Sequence, residues 1–130
     1  MNKSIIISLT ISAFLIGGAF VLLSQRSVAN NGATVPTATI VDGKQFIDIT
    51  AKGGYVPREV VAKAGIPTIL RVTTNGTFDC SSGLVIPKLS YQKALQSSGT
   101  EDIAISAEQA TGTLQGLCTM GMYNFQIKFQ

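Results

Sequence analysis

The fold of this chain is decided by the stretch LCTMGMYNFQIKF, residues 117–129. From residue 123 onward, three aromatic residues and one isoleucine occupy alternate positions, and polar residues occupy the positions between them. Side chains of a β-strand alternate between its two faces, so this pattern predicts a strand with one buried face. Just before that strand, Cys118, Met120 and Met122 carry three sulfur atoms within five residues.

One more sulfur atom lies far away in the sequence, on Cys80. The chain has two Cys, three Met and no His, so apart from Met1 every thiol and thioether lies in two short segments. Thiolates and thioethers are soft ligands that select Cu(I) over hard cations. The predicted metal ligands are therefore Cys80, Cys118, Met120 and Met122. Blue-copper electron-transfer sites use two histidines, so the absence of His disfavours that role.

The spacing of the second sulfur segment requires a bend. Residues two apart in an extended strand lie on one face but about 6.6 Å apart, so three sulfurs of a straight strand could not reach one ion. Gly121 permits the chain to turn at this point. A tight turn would bring Cys118 and one or both of Met120 and Met122 towards the same ion as Cys80.

Other short β-type runs fill the chain from about Thr39 to its end. The clearest is residues 68–74, rich in β-branched residues and closed by Asn75-Gly76, and residues 44–51 alternate as a half-buried strand does. About seven such runs are separated by turn signals, and no helical periodicity lasts three turns. A short helical turn is expected only within residues 88–98. This pattern predicts an all-β antiparallel sandwich or barrel.

The composition bounds what the chain does. A chain of 130 residues, 45% of them hydrophobic, forms one domain. Without Lys3 and Arg26, which flank the apolar N-terminus, eight basic residues remain against seven acidic ones. This balance, with no basic stripe, argues against nucleic-acid binding. Catalysis has little support, because the chain has no His and its one Ser-x-x-Lys spacing, at Ser90, falls in a predicted surface turn. We expect a protein that is not an enzyme.

The N-terminus predicts export. Residues 5–23 are 19 residues without a charge, which fits one hydrophobic helix that is either a transmembrane anchor or a signal peptide. The small residues at alternate positions 27 and 29 would allow cleavage after Ala29. The predicted organisation is a signal peptide or anchor over 1–29, a linker over 30–38 and a β-domain over 39–130. Either alternative places the domain outside the cytoplasm, membrane-anchored if the helix is uncleaved, and otherwise secreted or periplasmic.

The two cysteines have a second interpretation. Cysteines outside the cytoplasm commonly pair, and a Cys80–Cys118 disulfide would stabilise the domain by roughly 4 kcal/mol in the chain-entropy model. In that case the chain would be a disulfide-stabilised β-sandwich acting as a membrane-tethered protein-interaction module. A structural disulfide has no use for two adjacent thioethers, which favours metal binding.

A family resemblance covers most of the predicted domain, from about Ile47 to Phe129. The segments GYVPREVVAKAGIPT (residues 54–68) and LVIP (84–87), with a Cys between them and Cys-x-Met-Gly-Met-Tyr at the end, resemble cupredoxin-like domains of bacterial extracytoplasmic metal-binding proteins. The resemblance implies a Greek-key β-sandwich with copper held at one end. It implies that Cys80 supplies the ligand after a central strand and that the Cys118 segment supplies the others. The implied partners are the metal ion and a protein that donates or accepts it.

Overall fold

The computed structural model describes residues 35–130. The predicted signal peptide or anchor, with its hydrophobic helix, and the first part of the predicted linker lie outside the described residues. Within residues 35–130 no helix is long and apolar enough to cross a membrane. Pro36 and Ala38, from the predicted linker, exchange backbone hydrogen bonds with Val61: its N–H donates to the Pro36 carbonyl at 3.0 Å and its carbonyl accepts from Ala38 N–H at 2.9 Å.

The described residues form ten β-strands and two short 3₁₀ turns. The strands are β1 (Thr39–Val41), β2 (Lys44–Ala51), β3 (Tyr55–Val56), β4 (Glu59–Ala62), β5 (Thr68–Thr74), β6 (Gly83–Ile86), β7 (Tyr91–Ala94), β8 (Gly99–Ile105), β9 (Gly112–Cys118) and β10 (Asn124–Phe129). The 3₁₀ turns span Cys80–Ser82 and Pro87–Leu89. The second turn falls at the start of the segment where the sequence predicted a helical turn, and strand β7 occupies the middle of that segment.

Seven of these strands match the seven runs found in the sequence. The three that the sequence missed are β1, β3 and β7: β1 and β7 expose most of their residues, and β3 has only two residues, too few to show an alternation. Alternation of apolar and polar residues marks a strand only when one face is buried. Strands without a buried face leave no such mark.

The strands form two five-stranded sheets. In the first, the order is β1-β2-β5-β8, with β3 also paired to β2; in the second it is β4-β10-β9-β6-β7. The sequence predicted antiparallel pairing throughout, and this is wrong for two pairs: β2 with β5, and β4 with β10, run parallel. Between β2 and β5 the chain passes through β4 in the other sheet, and such a crossover returns the chain in the same direction.

One hydrophobic core lies between the two sheets. The buried residues of β2 and β5 belong to the same cluster as those of β9 and β10. The predicted alternation is confirmed in β10, where Phe125, Ile127 and Phe129 are buried and the residues between them are partly exposed. It is also confirmed in β2, where Ile47 and Ile49 are buried. The chain is therefore mostly β, with its two mixed sheets sharing one core.

Candidate metal site

Cys80 begins the 3₁₀ turn that follows β5 and leads into β6. The turn is fixed by Asp79, whose carboxylate accepts hydrogen bonds from the Ser81 N–H at 2.8 Å, from the Ser81 hydroxyl, and from the Gly53 N–H at 2.8 Å. The Ser81 hydroxyl, followed by the Gly53 amide, lowers the pKa of Asp79. An ionised carboxylate with three donors thus joins the Cys80 turn to the turn between β2 and β3.

Tyr55 supports the same turn from the core. Its hydroxyl donates to the Ser81 carbonyl at 3.2 Å, and its ring meets Phe125 edge-on at a centroid distance of 5.1 Å. Burial, and secondarily the negative charge of Asp79, raises the pKa of Tyr55 to about 12. The phenol therefore stays neutral and serves as a hydrogen-bond donor that holds the turn in place.

Cys118 is the last residue of β9, and its side chain is fully buried. The chain then turns back into β10: Cys118 N–H donates to the Tyr123 carbonyl at 3.0 Å, and Gly121 N–H donates to the Cys118 carbonyl at 2.8 Å. Gly121 has a φ of +73°, so the bend predicted at this glycine is confirmed. Tyr123 N–H points at the sulfur of Cys118, with a nitrogen-to-sulfur distance of 3.4 Å.

The two sulfur segments are held against each other. Thr119 N–H, just after Cys118, donates to the carbonyl of Gly83, just after the Cys80 turn, at 3.0 Å. A Cβ on Gly83 would lie 2.8 Å from the Thr119 hydroxyl oxygen, so a larger residue here would require the Thr119 side chain to shift. The structure joins Cys80 and Cys118 as a disulfide, with their Cα atoms 5.8 Å apart. That separation is ordinary for a disulfide.

The two methionines lie in the same loop but not in the core. Met120 is 77% exposed and Met122 is 66% exposed. Exposure of this extent excludes core filling, the usual role of a methionine. Met122 and Tyr123 line an open cleft of about 370 Å³ together with Gly54 and Val56. The structure therefore brings the two cysteines together and leaves both thioethers accessible beside them.

Some residues of this end of the molecule gave no signal in the sequence. Phe78, two residues before Cys80, is 85% exposed. The amide of Gly53, which binds Asp79, comes from a distant turn, and nothing local in the sequence connects the two. Within residues 35–130 no three His, Cys, Asp or Glu side chains lie close enough together to hold a metal ion by themselves.

No protein-family model matches this sequence, and no curated protein matches it. Solved structures do match its fold. One is the metal-binding domain of the Streptococcus pneumoniae D39 Cu(I)-exporting P-type ATPase CopA, solved with Cu(I). The two sequences are 18% identical, and the alignment covers 74% of this chain and 95% of that domain, with a TM-score of 0.65. Another is a copper-binding protein solved by NMR in the apo form. It is 24% identical in sequence, and the alignment covers 76% of this chain and the whole of that protein, with a TM-score of 0.68. At these identities the similarity shows a shared fold.

The chemistry of the site depends on the oxidation state of its cysteines. As a disulfide, the pair offers no thiolate and acts as a cross-link. Once reduced, Cys80 and Cys118 offer two anionic sulfurs, and the adjacent loop offers two neutral ones on Met120 and Met122. Two thiolates with thioethers form a soft, low-coordinate donor set.

Proposed function

We propose that this protein binds Cu(I) outside the cytoplasm and either sequesters it or hands it to another protein. In its reduced form, Cys80 and Cys118 serve as the anionic ligands, and Met120 or Met122 serves as a neutral ligand. The observation that carries the proposal is the convergence of the chain's sulfur. Two cysteines 38 residues apart in sequence meet at one end of the fold, beside a loop with both exposed methionines.

The donor set fits the cuprous ion better than other ions. Imidazole is absent from the whole chain, and hard oxygen ligands are not clustered in the described residues. Soft sulfur ligands favour Cu(I) and disfavour Mg²⁺ or Ca²⁺. The Tyr123 N–H directed at Cys118 would offset part of the negative charge of a buried thiolate at that position. The copper ion is the cargo of this site, and the chain's residues bind and release it.

The shared fold supports the same proposal. A cupredoxin-like Greek-key sandwich accounts for the two mixed sheets and for a site at the end where the Cys80 turn meets the loop between β9 and β10. The two structures with this fold are described as copper-binding. An extracytoplasmic location, membrane-anchored or secreted and periplasmic, is supported by the uncharged residues 5–23. A disulfide also persists more readily outside the cytoplasm.

A second function has its own supporting observation. The Cys80–Cys118 disulfide and the exposed apolar side chains of Val56, Phe78 and Met122 fit a disulfide-stabilised interaction module. In that case the sulfurs would be a permanent cross-link, and the exposed side chains would contact a protein. This candidate predicts no affinity for Cu(I).

Titration of the reduced full chain with Cu(I), against a competing chelator, separates the two functions. We expect Cys80→Ser and Cys118→Ser each to weaken binding by at least tenfold, or about 1.4 kcal/mol. Met120→Leu and Met122→Leu should weaken it less individually than together. The matched control is Phe78→Leu, which changes an exposed apolar side chain near Cys80 without removing sulfur. Binding equally weak in the wild type and in the double cysteine variant would refute the copper proposal and favour the interaction module.

A further inference from the structure

The two sulfurs of the Cys80–Cys118 disulfide differ in accessibility. Cys118 has no exposed surface and lies within the hydrophobic core cluster. Cys80 is only partly buried and begins a surface turn. A thiolate that opens a disulfide must reach the sulfur that it attacks. Of the two residues only Cys80 presents surface to solvent, so an incoming thiolate would approach the disulfide from the Cys80 side.

The fold also places a hydrogen-bond donor beside Cys118, the sulfur that leaves when Cys80 is attacked. When Cys80 is attacked, the electron pair of the broken bond leaves on Cys118. The Tyr123 N–H is directed at that sulfur from 3.4 Å, and the Cys118 N–H donates to the Tyr123 carbonyl, which fixes the loop. A hydrogen bond to an ionised acceptor is stronger than one to a neutral acceptor. The N–H therefore favours the thiolate that exchange at Cys80 generates.

We propose that this protein exchanges its disulfide with a protein dithiol reductant, and that the exchange passes through a mixed disulfide on Cys80. A thiolate of the reductant attacks the Cys80 sulfur, the Cys80–Cys118 bond breaks, and Cys118 leaves as the thiolate. The second thiolate of the reductant then attacks the reductant's own first sulfur, which is bonded to Cys80 in the mixed disulfide. That bond breaks, and Cys80 leaves as a thiolate. The reductant ends as a disulfide, and this protein has gained two electrons.

This reaction has a use that rests on the proposed function. A disulfide offers no thiolate to Cu(I), so the oxidised protein must be reduced before the metal binds. Oxidation of the pair would conversely remove both anionic ligands. The dithiol reductant is thus the partner that prepares the site, and Cys80 is the residue at which it acts.

The experiment traps the mixed disulfide on the wild-type full chain. The oxidised protein is mixed with thioredoxin whose second active-site cysteine is replaced by serine, so that the reaction stops at the first step. Acid quenching and peptide mapping then locate the adduct. We expect adducts on Cys80 to exceed those on Cys118 by at least about tenfold, because the attacked sulfur must be accessible. Adducts mainly on Cys118, equal adducts on both residues, or no adduct would each overturn the proposal.

Single-cysteine variants give a second measurement. Reacted with glutathione disulfide, Cys80 in Cys118→Ser should form a mixed disulfide faster than Cys118 in Cys80→Ser. Equal rates would count against the proposal. Neither measurement uses copper, so the two ideas can fail separately. A protein trapped on Cys80 that binds no Cu(I) would refute the proposed function alone, and one that binds Cu(I) but is trapped on Cys118 would refute the exchange route alone.

Discussion

Gly116 shows how much one residue controls at the base of the site. It lies two residues before Cys118 in β9, directly opposite Phe125 in β10. A Cβ on Gly116 would lie 2.2 Å from the Cζ atom of the Phe125 ring, so the ring occupies the space that a side chain would fill. Phe125 is fully buried and packs on Tyr55. The ring cannot move aside without disturbing the residue that supports the Cys80 turn.

We therefore expect Gly116→Ala to destabilise the protein by about 1–3 kcal/mol, the usual cost of overpacking a core. Urea denaturation of the oxidised protein measures this change in the free energy of unfolding. Gly99→Ala is the control, because the nearest atom to its added Cβ would be the flexible end of the Gln96 side chain, 3.3 Å away. An equal loss of stability in both variants would contradict the proposed role of the Phe125 ring.

At the scale of an element, the loop between β9 and β10 has two separate requirements. It must reverse direction within five residues, and for the proposed copper site it must also present Met120 and Met122 beside Cys118. Gly121 meets the first requirement with a φ of +73°. Gly43, in the turn between β1 and β2, has nearly the same φ, +74°, and is distant in sequence from every sulfur. At both glycines an added Cβ would meet no atom within 4 Å.

These two glycines form a matched pair for a test. Gly121→Ala and Gly43→Ala should each cost about 1–2 kcal/mol, because an alanine is strained in the left-handed region. Only Gly121→Ala should also weaken Cu(I) binding, since it distorts the loop that carries the methionines. Chelator competition on the reduced protein measures the affinities. If Gly43→Ala lowered copper affinity as much, the effect would belong to general stability and not to the loop.

The pairing of β5 with β8 carries an ion pair on its exposed face. Arg71 and Asp102 lie directly opposite each other, and the guanidinium donates two hydrogen bonds to the carboxylate, at 2.8 and 3.0 Å. The hydrogen bond from Arg71 lowers the pKa of Asp102. Because the carboxylate ionises more easily in the folded state, its contribution to stability is present above the unfolded pKa. That contribution is lost as the pH falls through the folded value.

Asp102→Asn tests this dependence on pH. We expect the wild type to be more stable than the variant near pH ~7, and the difference to shrink as the pH falls towards ~2. The effect should be modest, because the pair is exposed. Urea denaturation at each pH measures the difference in the free energy of unfolding between the wild type and the variant. Glu108→Gln serves as the control, since Glu108 is exposed and forms no ion pair within residues 35–130. A difference that stays constant across the pH range would contradict the assignment.

At the scale of the whole molecule, the two cysteines connect parts of the fold that come from different regions of the chain. Cys80 lies in the crossing from β5, in the first sheet, to β6, in the second. Cys118 ends β9, which is interior to the second sheet. A bond between them, or one metal ion held by both, therefore restricts the crossing between the two sheets.

Reduction and reloading test this restriction. With the cysteines 38 residues apart, reduction should lower the free energy of unfolding by about 4 kcal/mol in the chain-entropy model. Free Cu(I) at a hundredfold excess over its dissociation constant should then restore about 2.7 kcal/mol, because it binds the folded state. Urea denaturation of the oxidised, reduced and Cu(I)-loaded protein measures all three states. The reduced Cys80→Ser/Cys118→Ser variant should gain no stability from Cu(I), and a gain equal to that of the wild type would contradict binding at the pair.

The sequence alone determined the strands that have a buried face and the residues on that face. Strands β2, β5 and β10 were predictable because a strand with one buried face alternates apolar and polar residues along the sequence. The concentration of sulfur in two segments, and the bend at Gly121, were also readable, since each depends on residues close together in the chain. Such local patterns do not indicate which strands pair with each other.

Only the tertiary structure decided the rest. The parallel pairing of β2 with β5 depends on a crossover through the other sheet. Cys80 meets Cys118 where the hydrogen bond from Thr119 to Gly83 joins segments far apart in sequence, beside a glycine whose added Cβ would crowd the Thr119 side chain. The burial of Cys118 beside a partly exposed Cys80 follows from packing around the end of β9. These contacts join residues far apart in sequence, so they are set by how the two sheets close on one core and not by any local pattern.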